Sequence, residues 1–225
     1  MITLLEVFHW SQLLQPQFYI EHGGLWLLLF VVFAETGLFF GFFLPGDSLL
    51  FLSGIYAEKL AAPLRFIPET YSDVTVVALA ISLAAIIGNI FGYWFGATSG
   101  RGLYNRKDGL LFKKKYLYQS QEFFEKHGGK AIIFARFLPV VRTFVPIIAG
   151  IVHMPKSKFM LFNVLSSLLW SFILVFAGHY LYAFFNEEFG IDLKKHIETI
   201  ILILIAITSF PLIMKAIKAR RKTES

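Results

Sequence analysis

The sequence predicts an all-α integral membrane protein, built as an inverted repeat of a re-entrant helical hairpin plus a transmembrane helix, with an additional C-terminal transmembrane helix. The 225 residues are 56% hydrophobic, with a mean hydropathy of +0.65, whereas an ordinary soluble domain is about 45–50% apolar. The apolar residues are concentrated in long runs, and two of these runs are interrupted by proline close to charged residues. The chain contains no cysteine, which excludes disulfide and thiol chemistry.

The first predicted element is an N-terminal interfacial segment at residues 1–24. It mixes apolar and polar residues and contains Pro16, so it is too short and too polar to span a bilayer. A loosely ordered arm is the alternative interpretation.

A re-entrant hairpin is predicted near residues 25–57. Its first arm is apolar apart from Glu35 and Thr36, and it ends at Pro45-Gly46-Asp47-Ser48, where proline followed by glycine is a strong turn signal. The apolar run after this turn ends near Ala57 and is about half the ~20 residues that a helical span requires. We therefore expect a helix, a tip shaped by Pro45 and Gly46, and a short returning helix.

A plain transmembrane helix is predicted at 74–95. Gly88, Gly92 and Gly96 recur within it at intervals of four residues, and such a ridge of small residues lets another helix approach closely. A polar and basic linker follows at 99–130.

The second hairpin is predicted near residues 131–152. Arg136 and Arg142 lie on either side of Pro139, which is predicted to shape the hairpin tip. An arginine at membrane depth costs roughly 3 kcal/mol or more, and a proline frees a backbone carbonyl that only protein or a wet cavity can satisfy. We therefore expect the segment to break beside a polar cavity, with both guanidinium groups directed into it.

Two further spans are predicted at 159–185 and 197–214. The membrane domain that contains both hairpins is thus assigned to residues 25–185. Residues 186–225 are assigned to the C-terminal transmembrane helix and a basic tail.

Positive charge is sorted along the chain. Fifteen of the 21 lysines and arginines lie in the 99–130 linker, in the turn at 152–158 and after residue 214. The positive-inside rule places these segments in the cytoplasm, and residues 58–73 and 186–196 on the other side. Such sorting requires each hairpin to return to its starting face, so that the halves have opposite orientation, as in the inverted repeats of many secondary transporters.

Four charged residues fall within the two hairpins: Glu35, Asp47, Arg136 and Arg142. We expect them to neutralise one another where the hairpin tips meet. One interpretation is that they form buried ion pairs that only fix the hairpins together. Because desolvation can cancel the Coulomb gain of a buried pair, we favour a functional role.

An arginine fork donates two hydrogen bonds to a phosphate at once. Arg136 and Arg142 are accordingly predicted to bind a lipid phosphate. Glu35 and Asp47 are predicted to balance the charge or to relay a proton.

No metal-ligand cluster, phosphate-binding loop or nucleophile elbow is visible in the sequence. We therefore predict no catalytic residue, no metal, no cofactor and no enzyme activity. Three isolated histidines are interpreted as packing or interfacial residues: His127, His153 and His179. Asn89, Asn163 and Ser166 either line the cavity or form hydrogen bonds between helices. Four tryptophans are interpreted mainly as interface anchors or core residues: Trp10, Trp26, Trp94 and Trp170.

Six motifs occur in order between about residues 25 and 185: Glu35-Thr-Gly-Leu, Phe43-Leu-Pro-Gly-Asp-Ser48, Gly88-Asn-Ile-Phe-Gly-Tyr93, Phe124-Glu-Lys-His-Gly-Gly129, Phe134-Ala-Arg-Phe-Leu-Pro-Val-Val-Arg142 and Ala149-Gly150. Together they resemble the DedA family of bacterial membrane proteins, related to the SNARE-associated Golgi or VTT domain. The resemblance implies an inner-membrane protein that moves lipids between leaflets, with members linked to undecaprenyl phosphate recycling and phosphatidylethanolamine transport. It also implies that Glu35 and Asp47 match the acidic pair of the family and that Arg136 and Arg142 match its arginine pair.

We therefore predict a flippase-like or scramblase-like translocase for a phosphate-bearing lipid, such as undecaprenyl phosphate or a phospholipid, with coupling to protons. The expected partner is that membrane lipid, and a second copy of the chain is expected if the protein is a homo-oligomer. No nucleic-acid partner is expected. The expected location is the bacterial cytoplasmic (inner) membrane, multi-pass, with the C-terminus in the cytoplasm. A small-ion transporter or exchanger and a non-transporting envelope scaffold are the alternatives, and the lipid, the direction and the coupling ion stay open.

Overall fold

The computed structural model describes residues 23–38, 46–64, 72–105, 122, 126, 128–136 and 139–190. These residues are helical and contain no strand, which confirms the all-α prediction for this part of the chain. Residues 1–22 of the predicted interfacial segment, Pro45, most of the 99–130 linker and the predicted C-terminal helix and tail lie outside the described residues.

The helices of the described residues follow one another in this order: α1 Gly24–Gly37, α2 Gly46–Ile55, α3 Ala57–Ala61 with a 3₁₀ turn at Ala62–Leu64, α4 Asp73–Asn105, α5 Lys130–Arg136, α6 Pro139–Ile151 and α7 Lys156–Phe189.

Two of the described helices, α4 and α7, are long and apolar enough to cross a membrane. The apolar part of α4 is Asp73–Ser99, with 27 residues, and α7 has 34 residues. They confirm the helices predicted at 74–95 and 159–185, and each extends beyond its predicted ends. Helix α7 ends at Gly190 with φ +62°, a left-handed conformation that glycine adopts readily at a helix C-terminus.

Polar side chains join α4 to α7 inside the protein. Asn89 Nδ2 donates to Asn163 Oδ1 at 2.6 Å, and Asn163 Nδ2 donates to the carbonyl oxygen of Ile86 at 3.2 Å. Ser167 Oγ also lies 3.3 Å from Asn163 Oδ1, whereas Ser166 donates to the carbonyl of its own helix at Asn163. The interpretation of Asn89 and Asn163 as hydrogen-bond partners between helices is thus confirmed.

The other main helices are too short to span a membrane and fall in two pairs. Helices α1 and α2 have 14 and 10 residues, and α5 and α6 have 7 and 13, against the ~20 that a span requires. Each pair coincides with a predicted hairpin. The return of each pair to its starting face remains a prediction.

Each pair of short helices contacts both long helices, one through each member. The first members, α1 and α5, pack on the long helix of their own half, α4 and α7 respectively. The second members cross over, so that α2 packs on α7 and α6 packs on α4. The two halves of the chain are therefore interlocked around the contact between α4 and α7.

The crossing of α2 and α7 depends on two glycines. Gly54 faces the carbonyl oxygen of Val175, and Gly178 faces the carbonyl oxygen of Phe51. A Cβ at either glycine would overlap that oxygen. Only glycine permits backbones to approach this closely, which is how helices pack when lipid supplies little hydrophobic drive.

The crossing of α4 and α6 has the same construction. Gly96 faces the carbonyl oxygen of Ile147, and Gly150 faces the carbonyl oxygen of Tyr93. A Cβ at either position would again overlap the facing oxygen. Each half of the chain thus places one glycine on its long helix and one on the short helix that crosses to the other half.

The predicted glycine ridge on α4 is confirmed, with a different role for each member. Gly88 lies against the carbonyl oxygen of Phe33 on α1, and Gly96 lies against α6. At Gly92, by contrast, the nearest atom to an added Cβ would be Pro146 Cβ at 3.4 Å, which is ordinary van der Waals contact.

We expect Gly96→Ala to lower the melting temperature of the detergent-solubilised protein by several degrees, because the new Cβ must displace the α6 backbone. Gly92→Ala, one turn earlier on the same helix, is the matched control. It should melt at the wild-type temperature or slightly above, since alanine favours a helix over glycine by about 1 kcal/mol. Circular dichroism melting of both variants measures the difference, and equal melting temperatures would contradict the close approach of α4 and α6.

Candidate functional site

The four charged residues of the predicted hairpins meet at the ends of the short helices. Glu35 lies in the last turn of α1, Asp47 is the second residue of α2, Arg136 ends α5, and Arg142 lies in the first turn of α6. Each break in a helix thus brings a charged side chain towards the same region. We refer to these four residues as the charge cluster.

Arg142 bridges both acids of the charge cluster. Its Nη1 donates to Asp47 Oδ1 and its Nη2 donates to Glu35 Oε1. The side chains of Arg142, Glu35 and Asp47 are 7%, 1% and 17% exposed, so water screens these ion pairs little. One guanidinium therefore fixes α1, α2 and α6 to one another through two charge-assisted hydrogen bonds.

Trp170 connects the charge cluster to α7. Its Nε1 donates to Asp47 Oδ1 at 2.9 Å. The Cζ atoms of Arg136 and Arg142 lie 4.7 and 5.0 Å from the centroid of its ring, within the range in which an aromatic ring attracts a cation. Trp170 thus contacts both arginines and one acid.

From its sequence context, Trp170 is interpreted as an interface anchor or a core residue, and its 2% exposure confirms the core interpretation. Its contact with the charge cluster is not among the predictions. The available signal was its position: Trp170 lies near the middle of α7, whereas tryptophans that anchor a helix at the membrane interface lie near its ends. A tryptophan at mid-span that is not exposed to lipid requires a partner for its N–H group, and here that partner is Asp47.

Arg136 differs from Arg142 in its bonding. It is 4% exposed, yet none of the described carboxylates forms an ion pair with it. Its Nε and Nη2 atoms are buried without a hydrogen-bond partner among the described residues. These two atoms form one edge of the guanidinium group, so Arg136 offers a complete two-donor edge to a ligand. The sequence predicts the same role for both arginines.

Two of the three residues predicted to shape the hairpin tips are the first residues of short helices. Gly46 is the first residue of α2, and a Cβ there would overlap the carboxylate of Glu35. Pro139 is the first residue of α6, a position where the missing N–H group removes no helical hydrogen bond. Pro45 lies outside the described residues.

A cavity with a volume of about 620 Å³ lies elsewhere. It is lined by residues of α4, the turn before α7 and the start of α7, and it includes none of the four charged residues. The guanidinium groups of Arg136 and Arg142 lie against Trp170 and the acids. The charge cluster is closed in this conformation.

A comparison with protein families identifies the chain. The model of the VTT domain matches residues 28–180. This chain belongs to the DedA family. Together with the two long apolar helices, this makes it a membrane protein.

Several curated relatives share most of the length of the chain. Protein DedA of Escherichia coli K12 is 34% identical over 203 residues, which cover 88% of this chain and 85% of that protein. An uncharacterized membrane protein of Mycobacterium leprae is 34% identical over 209 residues, covering 90% and 86%. The inner membrane protein YqjA of Escherichia coli K12 is 39% identical over 160 residues, covering 71% and 68%. No solved structure matches the chain.

We expect Arg142→Lys to destabilise the protein and Arg136→Lys to leave its stability nearly unchanged. A lysine ammonium at position 142 cannot reproduce the planar fork that spans Glu35 and Asp47, and the loss of a hydrogen bond to a charged group costs about 2 kcal/mol. Arg136 forms no such ion pair with any described carboxylate. Circular dichroism melting in the same detergent compares the variants. A lower melting temperature for Arg136→Lys than for Arg142→Lys would contradict this division of roles.

Proposed function

We propose that this protein moves a phosphate-bearing lipid between the leaflets of the bacterial inner membrane. The observation that carries the proposal is Arg136, a buried cation in a membrane protein, with two donors on one edge that have no partner among the described residues. Buried donors of a charged group are costly without acceptors, so the retention of Arg136 favours a ligand that accepts from Nε and Nη2. A phosphate oxygen pair fits this edge, since arginine binds phosphate in a bidentate manner.

The two arginines then have different tasks. Arg136 binds the lipid phosphate, while Arg142 holds Glu35 and Asp47 and so maintains the geometry of the site. This division refines the expectation that both arginines hold the phosphate. Undecaprenyl phosphate and phospholipids share the phosphate group that Arg136 would recognise. The proposed ligand is therefore defined by its phosphate and not by its hydrocarbon tail.

The pairs α1/α2 and α5/α6 act, in this proposal, as re-entrant hairpins of opposite orientation. Their short lengths and the crossed packing of α2 on α7 and α6 on α4 support this arrangement. The tripeptide Phe-Leu-Pro also occurs twice, at 43–45 and 137–139, next to the break in each pair. Hairpins that meet from opposite faces would place the charge cluster at a depth reachable from either leaflet.

The closed charge cluster implies a conformational step. Glu35 and Arg136 are 1% and 4% exposed, so a lipid headgroup reaches them only after the hairpins separate from Trp170. Under the proposal the described conformation is an occluded state of the transporter. The C-terminus and the basic linker face the cytoplasm, by the charge sorting of the sequence.

We expect Arg136→Lys to slow lipid translocation by about tenfold or more, because lysine offers one point donor in place of a fork and each lost charge-assisted hydrogen bond amounts to about 1.5–3 kcal/mol. Lys130→Gln, which changes an exposed cation on the same helix, is the matched control and should transport like wild type. The assay reconstitutes the full chain in liposomes and follows a fluorescent phosphatidylglycerol whose outer-leaflet copies dithionite bleaches. Wild-type rates in Arg136→Lys, or no translocation by the wild type, would overturn the proposal and favour the small-ion transporter or the scaffold.

Coupling to protons gives a separate expectation. A phosphate bound at Arg136 would add negative charge beside Glu35 and Asp47 in a dry site, and one of these carboxylates would take up a proton to restore neutrality. Translocation by the wild type should then depend on pH and on an imposed proton gradient. Glu35→Gln or Asp47→Asn should flatten that dependence in the same liposome assay. Unchanged pH dependence in a well-folded variant carrying both substitutions would remove the acids from the coupling.

A further inference from the structure

A groove lies on the surface where the end of the α4 span meets the beginning of α7. It corresponds to the cavity of about 620 Å³ described above. Its lining residues come from two elements and the turn between α6 and α7: Ile90, Tyr93, Trp94, Ala97, Thr98, His153, Lys156, Phe159 and Met160. We call this feature the α4/α7 groove. None of the charge cluster contributes to it.

The α4 side of the groove is one continuous helical stripe. Its residues, from Ile90 to Thr98, recur at intervals of three and four, which places them on one face of the helix. Ile90 and Thr98 are eight steps apart, and at a rise of 1.5 Å per step the stripe is about 12 Å long. Ile90 and Trp94 are 37% and 57% exposed, and Met160 on the opposite wall is 37% exposed, so the apolar part of the groove is open.

The other end of the groove is polar and basic. Lys156 and His153 are exposed there, beside Thr98, and no acidic side chain lines the described groove. Thr98 lies near the end of one apolar span and Lys156 begins the other. Both spans therefore end at the same membrane face at this point. The basic end of the groove lies at headgroup depth, while its apolar end lies deeper.

The floor of the groove is built rigidly. Phe159 is 2% exposed and stacks on Tyr93, with ring centroids 4.5 Å apart. Tyr93 Oη in turn donates to the carbonyl oxygen of Met154 at 2.6 Å. These contacts join α4 to the turn before α7. The floor of the groove is thus held by contacts within the protein.

We propose that the α4/α7 groove binds one anionic phospholipid of the membrane in which the protein sits. The phosphate group lies at Lys156 and His153, and an acyl chain lies along the stripe from Thr98 to Ile90. The gradient from basic to apolar over about 12 Å matches an anionic amphiphile in its normal bilayer orientation. Since bulk acyl chains are as apolar as the groove, the headgroup charge determines which lipid is preferred. This site is separate from the charge cluster and does not depend on the proposed function.

Native mass spectrometry of the full chain in a neutral detergent tests the proposal, with phosphatidylglycerol, phosphatidylcholine or inorganic phosphate added separately. The wild type should retain phosphatidylglycerol in preference to phosphatidylcholine. Lys156→Gln should reduce that preference about fivefold, the effect of one cation at a lipid surface. Lys158→Gln, an exposed cation two residues further along α7 that does not line the groove, is the matched control and should bind like wild type.

A second pair of variants tests the apolar part of the groove. Met160→Trp fills it and should reduce retention of phosphatidylglycerol, whereas Leu161→Trp, on an adjacent exposed position outside the groove, should not. Circular dichroism of each variant checks its helix content. Arg136→Lys should retain the lipid fully, which separates this site from the proposed translocation site.

Three outcomes would overturn the proposal. Equal retention by Lys156→Gln, Met160→Trp and wild type would mean that the lipid binds elsewhere or that another part of the chain covers the groove. Complete displacement of the lipid by inorganic phosphate would indicate an anion site with no role for the acyl chain. Loss of the lipid in Arg136→Lys alone would assign the bound lipid to the charge cluster.

Discussion

The arrangement of the short helices depends on one guanidinium group. Arg142 donates to Glu35 and Asp47 at once, and Asp47 also accepts the N–H group of Trp170, so α1, α2, α6 and α7 meet at a single set of bonds. Desolvating these charges offsets much of their attraction. Their main physical effect is therefore specificity: any displacement of one helix would leave a buried charge without its partner, which is far more costly than the net strength of the network suggests.

Glycine contacts make this electrostatic junction possible. At each of two crossings, a short helix and a long helix each place a glycine against a carbonyl oxygen of the other helix. These glycines are Gly54 and Gly178 where α2 crosses α7, and Gly96 and Gly150 where α6 crosses α4. Lipid offers helices little hydrophobic reason to associate, so close packing and hydrogen bonds determine the structure. The crossings set the depth and direction of α2 and α6, and thereby the distance over which Arg142 must reach.

The sequence was sufficient to predict the elements but not their bonding. Apolar run length and proline position predict both described spans and both breaks, since these features are local. It could not predict that Arg142 forms ion pairs with both acids while Arg136 forms none with the described carboxylates. Residue spacing shows which face of a helix a side chain lies on, but not which side chain of another helix it will contact. Trp170 was missed for the same reason: its partner Asp47 is 123 residues away.

Charge balance connects the buried junction to the proposed transport. The two acids and two arginines of the charge cluster carry no net formal charge, so the closed site needs no counter-ion from the membrane. A phosphate bound at Arg136 would add negative charge to a region where a net charge is costly. Uptake of one proton by Glu35 or Asp47 would restore neutrality for a singly charged phosphate. A lipid and a proton would then cross together, because their opposite charges lower the electrostatic cost of placing either one in the low-dielectric interior.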